Sequence, residues 1–565
     1  MTSFYKLWPV FILVSLISGC ANHVQPQYPP SVEQNSKYGA ILIDPTMQLK
    51  GLITVNKSHS LVINERLMQQ VLSQQKTTER QLITNSLLNI TNQQLLPNEE
   101  FERINQVVSS NNKSPKYAFA DQLSQFITSD NFSCQQPIYA KYFTERYNRL
   151  EDHSLCDKEV PFNLISTKNI AKTFWLNPER VSEVHLLFAG KDDGLMSKFG
   201  HISLRLIVCP ENNNSKIECD KNLYEHIVLG YRAHVDEFST DPLKGIVGDY
   251  KSYLYANNFM DIYREYTVDE FRDLHSLPLK LEKEKLTQFV RGLSEIHWSY
   301  SGEYKFITKN CSTLLQATLS VLWPDLLKDP LMNETYWRPD NLFSAVRNSN
   351  LSDSTKFKNL SNAEEEGFYF PSTEPIYNRA LDIVNKALAS PKFENLESYI
   401  GQDPLKRYEN LVLNASYYRK LKSDKYLNGA QLLLEELSAT RYQAYMKSKM
   451  AYFFHINSIS AVESHMLGAL DSDEIESFSV CILNPIKDYM EPAKRMNGIP
   501  EHSTMSAEKE KTYMCNSIEN RVHMKAVRLE LESIDPENWR PVKLSMLYWV
   551  ASLDNVERLL DLKKS

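Results

Sequence analysis

Between residues 166 and 350 short runs alternate apolar and polar positions, the period of a strand with one face buried. Val184–Ala189 is an apolar strand, and Gly200–Cys209 places His201, Ser203 and Arg205 on one face and Ile202, Leu204 and Leu206 on the other. Leu223–Tyr231, Tyr250–Ala256 and Phe259–Thr267 continue the strand pattern, and Glu303–Ile307 adds a short strand carrying Tyr304 and Phe306. The period changes twice. Glu282–His297 sets Leu286, Phe289, Val290 and Leu293 on a helical face, and after Cys311 the residues Leu314, Leu315, Thr318, Leu319 and Leu322 do the same until Pro324 stops the helix. The pattern predicts an α+β domain over 166–350.

The flanks read differently. Residues 64–110 are helical in spacing and rich in Gln, Asn and Thr, and Asp130–Phe162 is loop-rich, so 41–165 is expected to be a mostly helical accessory domain. Tyr377–Ala389, Leu405–Leu421, Tyr426–Phe454, Asn516–Leu531 and Leu544–Leu562 carry helical spacing, which predicts a helical C-terminal domain over 370–565.

Composition narrows the class. The 565 residues carry a net charge of −7, which gives no basic field for nucleic acid. There is no glycine loop to cradle phosphate and no paired Cys-x-x-Cys zinc signature, so no cofactor and no metal are expected. At the start, Lys6 precedes the apolar run Leu7–Leu16, too short for a membrane span, and Ile17-Ser18-Gly19-Cys20 resembles a bacterial lipobox. That resemblance implies a signal peptide over 1–19, lipid on the sulfur of Cys20 and a Pro-rich tether over 20–40. Ala21 after Cys20 favours the outer membrane, with the chain in the periplasm.

Eight cysteines fit an oxidising compartment. With Cys20 set aside for lipid, neighbours in sequence suggest the pairs Cys134 with Cys156, Cys209 with Cys219, and Cys481 with Cys515, although six cysteines admit other connectivities. This partition leaves Cys311 free. Asn310, Ser312 and Thr313 can cap the helix that Cys311 opens, where free N–H groups and the helix dipole favour a thiolate. The same N–H groups, helped by the Asn310 side chain, can receive an oxyanion. His201 is the candidate base, with Glu225, His226 or Asp249 as candidates to orient it, and Arg205 reads equally as a grip for a phosphate or carboxylate and as a structural ion pair. His185 reads as a core histidine and Ser203 as a strand residue.

Phe199-Gly200-His201-x-Ser203-x-Arg205, followed about a hundred residues later by Lys309-Asn310-Cys311-Ser312-Thr313, resembles the Lnb N-terminal periplasmic domain family over roughly 175–330. The resemblance extends to Pro278-Leu279-x-Leu281 and Tyr304-x-Phe306. It implies a permuted papain or NlpC-like cysteine–histidine fold, the histidine strand preceding the cysteine helix. It also implies a lipoprotein N-acyltransferase that takes an acyl chain from a membrane lipid, holds it on Cys311 as a thioester, and passes it to the N-terminus of other lipoproteins. Two alternatives share the residues: a thiol hydrolase of the cell envelope, amidopeptidase-like, and a non-enzymatic, disulfide-stapled envelope scaffold.

Overall fold

Strand propensity and burial pull the centre of the chain into one nine-stranded sheet. The structure, a computed structural model, describes residues 52–55, 61–74, 97–109, 114–129, 131–147, 156–165, 171–190, 199–211, 215–234, 250–388, 393–409, 411, 414–490, 496–502 and 518–564. The signal segment, Cys20, the tether, Asp249 and Cys515 lie outside the described residues.

A small hairpin, β1 (Ile53–Val55) with β2 (Leu61–Ile63), opens the described chain. Helices α1 (Glu65–Gln74), α2 (Glu99–Val108), α3 (Pro115–Thr128) and α4 (Pro137–Tyr147) follow. The sheet is then built from β3 (Val160–Ile165), β4 (Ala171–Leu176), β5 (Val181–Ala189), β6 (His201–Val208), β7 (Ile227–His234), β8 (Tyr250–Asn258), β9 (Leu274–Pro278), β10 (Gly302–Tyr304) and β11 (Tyr369–Phe370). Its order is β11-β9-β5-β6-β7-β8-β3-β4, with β10 pairing the far end of β8. All pairings are antiparallel except the single parallel register of Leu164 with Ala256. The sheet therefore reaches past 166–350 on both sides. Val160, Phe162 and Leu164 alternate as buried strand residues in a stretch that Pro161 and Cys156 make look like loop.

Both faces of the sheet are covered. On one, Ile202, Leu204, Leu206, Leu229 and Leu254 share a core with α6 (Lys283–Ser299), α7 (Cys311–Leu322) and the aromatic cluster Phe101, Phe119 and Phe143 of the N-terminal helices. The N-terminal helices thus complete the sheet's own core. On the other face Leu187, Val228, Phe259, Ile262, Tyr266 and Phe370 form a second, smaller core. β6 is buried along nearly its whole length, so its alternation marks two buried faces, not one wet and one dry.

The segment Phe259–Thr267, expected as strand, is helix: α5 (Phe259–Tyr263), running on into a wide turn over Arg264–Asp269. Phe259, Ile262 and Tyr266 bury one face at spacings of three and four, and that helical period outweighs the β propensity of the aromatics. Helix α8 (Pro339–Asn348) packs back on β5 and β6.

The C-terminal region is helical, as the spacing predicts. α9 (Glu374–Ala387), α10 (Lys425–Ile456), α11 (Ile518–Ile534) and α12 (Pro536–Lys564) dominate two further cores. At its centre Arg407 pairs with Glu435, both buried, and Tyr399, Ser552 and Asn555 complete the network. Disulfides join Cys134 to Cys156 and Cys209 to Cys219. Cys481 is disulfide-bonded, and its expected partner Cys515 is among the residues not described. No helix among the described residues is long and apolar enough to cross a membrane.

Candidate active site

Helix α7 starts as its sequence directs. The Asn310 carboxamide oxygen accepts from the N–H groups of Ser312 (3.0 Å) and Thr313 (3.2 Å), and the Asn310 N–H donates to Thr313 Oγ1 at 3.0 Å, closing a capping box. The carboxamide nitrogen donates to the carbonyls of Phe306 (2.7 Å) and Trp337 (2.8 Å). Both amide donors are therefore engaged, which corrects the expectation that Asn310 assists an oxyanion. Its work is to cap α7 and tie that helix to the chain before α8, a cap of this kind being worth about 1 kcal/mol.

Cys311 follows in the first helical turn, 5% exposed, and is the free cysteine among the described residues. Burial pushes its thiol up, and four donors oppose that: the N–H of Ile202, the Tyr304 hydroxyl, and the N–H groups of Ser312 and of Cys311 itself. The Tyr304 hydroxyl also accepts the Cys311 N–H at 3.4 Å. Ile202 reaches the sulfur because the β6–β7 ladder ends at Leu204 opposite Leu229, and α7 packs on both strands where they part.

His201 immediately precedes Ile202, so the backbone of its strand meets Cys311, while the imidazole, on the alternate face of β6, lies toward Tyr266. Its Nε2 is shielded from solvent and has no hydrogen-bond partner among the described residues. Among the described residues no hydrogen bond joins it to Cys311. The imidazole lies near-parallel to Tyr266, ring centroids 6.1 Å apart. Gly230 makes room for it: a Cβ there would stand 3.4 Å from Nε2 and 3.1 Å from the Ser203 Cβ. Burial, and then the charges of Arg232 and Arg272, hold the imidazole well below its usual 6.5. Arg232 grips Glu265 with two nitrogens, at 3.0 and 3.1 Å. Arg272 donates to Glu270 (2.6 Å), Gly190 O (2.7 Å) and Ala189 O (3.2 Å). The site thus has a buried neutral thiol, a buried neutral imidazole and neighbouring cations already paired with carboxylates.

The remaining candidates sit elsewhere. Arg205 is buried beneath Phe259, its guanidinium carbon 3.9 Å from that ring centre, and donates to His226 Nδ1, Ser276 Oγ and Gly367 O. At 1% exposure and held by these contacts, Arg205 is a structural residue, which corrects the substrate-binding assignment. His226 and Glu225 lie at the other end of β7 from His201. His226 is held between Arg205 and the Cys219 carbonyl, and Glu225 pairs with Arg180, so neither orients the base. His185 is a core histidine, bonded to Ser276 Oγ and Glu183 and lowered by burial to about 4. Sequence reasoning missed Tyr266, Arg232 and Arg272, which no local spacing ties to Cys311. It read Tyr304 only as a strand aromatic, although its position seven residues before the cysteine was in view.

Fold and site together define a mixed α+β domain whose free cysteine, in the first turn of a helix capped by Asn310, lies against a histidine-bearing strand. Residues 171–338 match the family model of the Lnb N-terminal periplasmic domain, the family that the two motifs resemble. No curated protein and no solved structure matches the chain.

Proposed function

We propose that this protein is a periplasmic thiol acyltransferase, held at the outer membrane through lipid on Cys20, that takes acyl chains from membrane lipid and passes them to an amine, the N-terminus of other lipoproteins. The observation that carries the reading is the free Cys311 sulfur, ringed by donors, beside a strand whose histidine has an unpartnered nitrogen. The order of histidine strand before cysteine helix supports a permuted papain-like relation.

Because burial disfavours both charged forms, the resting pair is thiol and imidazole, and the proton moves as the bond forms. His201 turns toward the sulfur and takes its proton. The sulfur bonds to the ester carbonyl carbon, and the carbon–oxygen bond breaks. The leaving alkoxide takes the proton back from the imidazolium. In the second half the amine attacks the thioester, His201 removes the amine proton, and the thiol is restored as the carbon–sulfur bond breaks. The N–H of Ile202 and the Tyr304 hydroxyl, which now face the sulfur, are the donors nearest to the developing oxyanion; one such donor is typically worth roughly 3–4 kcal/mol. An apolar rim beside the site suits an acyl chain: Ile307 is 54% and Trp337 is 44% exposed, and Phe199 packs edge-on against Trp337.

The test supplies phospholipid vesicles together with either a lipidated N-terminal cysteine peptide or purified peptidoglycan. Acylated peptide is the expected product. Cleaved peptidoglycan with no acyl transfer supports the hydrolase instead. Full function of Cys311→Ala and His201→Ala in cells would leave only the scaffold.

A further inference from the structure

The C-terminal helices carry a surface that the proposed chemistry does not use. α10 and α12 run antiparallel, with the Tyr442 and Tyr548 rings 5.3 Å apart and the Phe453 and Trp539 rings 4.9 Å apart. In that register Tyr445, one turn beyond Tyr442, and Leu544 and Leu547, within a turn before Tyr548, turn to the same side of the pair. Tyr445 is 50%, Leu544 48% and Leu547 49% exposed, a high value for large apolar side chains in the middle of long packed helices. Cations stand beside them. The Lys449 ammonium lies 4.9 Å over the Tyr445 ring, and Arg540 is one turn before Leu544 on α12 and exposed.

The charge pattern decides what fits. Residues 437–462 of the α10 stretch contain no Asp or Glu, and neither do 538–553 of α12; the same two stretches hold Arg441, Lys447, Lys449, Arg540 and Lys543. Glu532 on α11 pairs with Lys543 from outside. Asp269 faces Arg441 and Asp403 lies near Tyr442 and Tyr548, so Lys449 and Arg540 carry the positive charge beside the exposed Leu and Tyr of a chain whose net charge is −7. A hydrophobic protein partner would need only the apolar side chains. Exposed apolar and aromatic side chains beside Lys449 and Arg540 complement an interface of acyl chains under anionic headgroups.

We infer that this face of α10 and α12 lies on an anionic phospholipid surface, an inference that stands whether or not Cys311 transfers acyl groups. The side chains enter the headgroup layer, and neither α10 nor α12 crosses the bilayer.

The test is vesicle flotation of the full chain carrying Cys20→Ser, so that no lipid anchor contributes. Vesicles of phosphatidylcholine alone are compared with vesicles containing phosphatidylglycerol. The protein is expected to float with the anionic vesicles, and high salt is expected to release it. Leu544→Ser with Leu547→Ser is expected to cut binding roughly tenfold. Lys449→Glu with Arg540→Glu is expected to do at least as much, at roughly fivefold per charge. All four positions are exposed or half-exposed, and an unchanged Tm confirms that each variant is folded. Absence of flotation, or flotation that neither pair weakens, overturns the inference. So does a concentration-dependent dimer in sedimentation that Leu544→Ser with Leu547→Ser abolishes, because a second copy would then be the occupant.

Discussion

Replacing Tyr304 by Phe removes one oxygen beside the Cys311 sulfur and nothing else. That hydroxyl donates to the sulfur and accepts the Cys311 N–H at 3.4 Å, and Phe fills the same buried volume. A hydrogen bond to a charged group contributes about 1.5–3 kcal/mol, and about 1.4 kcal/mol corresponds to one pKa unit. The bond stabilises the thiolate, the charged form, so losing it moves the thiol pKa further up. The assay is the rate of Cys311 alkylation by a small uncharged reagent as a function of pH, in the folded protein with its disulfides intact. The midpoint of that profile is expected to move to higher pH in Tyr304→Phe, with little change in Tm. An unmoved midpoint, or one moved to lower pH, would refute the account of how the sulfur is held.

Three further expectations follow from packing and charge. Gly200 has φ +84°, and a Cβ there would stand 2.5 Å from the Phe188 ring and 2.6 Å from the Ala189 carbonyl, so Gly200→Ala should cost about 1–3 kcal/mol and disturb His201 next to it; an unchanged urea midpoint would count against it. Arg205→Met should lower stability by about 2–4 kcal/mol, because His226, Ser276 and the Gly367 carbonyl lose their donor, while Cys311 alkylation in the folded protein stays as it was; changed alkylation at equal folding would return Arg205 to the site. Glu295 is buried, accepts from the Ile138 N–H at 2.6 Å, and its other oxygen has no partner among the described residues. Burial holds this carboxyl well above the ordinary 4.5, so the folded state keeps a proton that the unfolded state releases. The stability it contributes is full below pH 4.5 and is lost as pH rises toward the raised value. Glu295→Gln should flatten that fall in urea unfolding measured across the range, and an unaltered slope would contradict it.

What was legible in the chain was local. The apolar period after Cys311 and the cap residues Asn310 and Thr313 gave the start of α7 to the residue, and neighbouring cysteines gave the two disulfides that the described residues contain. What was not legible depends on sequence-distant meetings. Arg205 reads equally as a ligand grip and as half of an ion pair, and Phe259 and Phe370, which arrive from 54 and more residues away to bury it, are not announced by anything in Gly200–Cys209. The donors of Asn310 looked free because one of the carbonyls that occupy them, that of Trp337, lies beyond the helix it caps. Phe259–Thr267 misled for a related reason: aromatic and β-branched residues favour strands on average, and here tertiary burial at helical spacing prevailed.

The central claim is that the Cys311 sulfur carries the acyl group. Mass spectrometry of the protein after brief incubation with phospholipid vesicles tests this most directly. The account predicts one fatty acyl group on the peptide containing Cys311, released by neutral hydroxylamine, absent in Cys311→Ala and strongly reduced in His201→Ala. A folded, alkylatable protein that gains no acyl mass, or an acyl adduct that persists in Cys311→Ala, would contradict it.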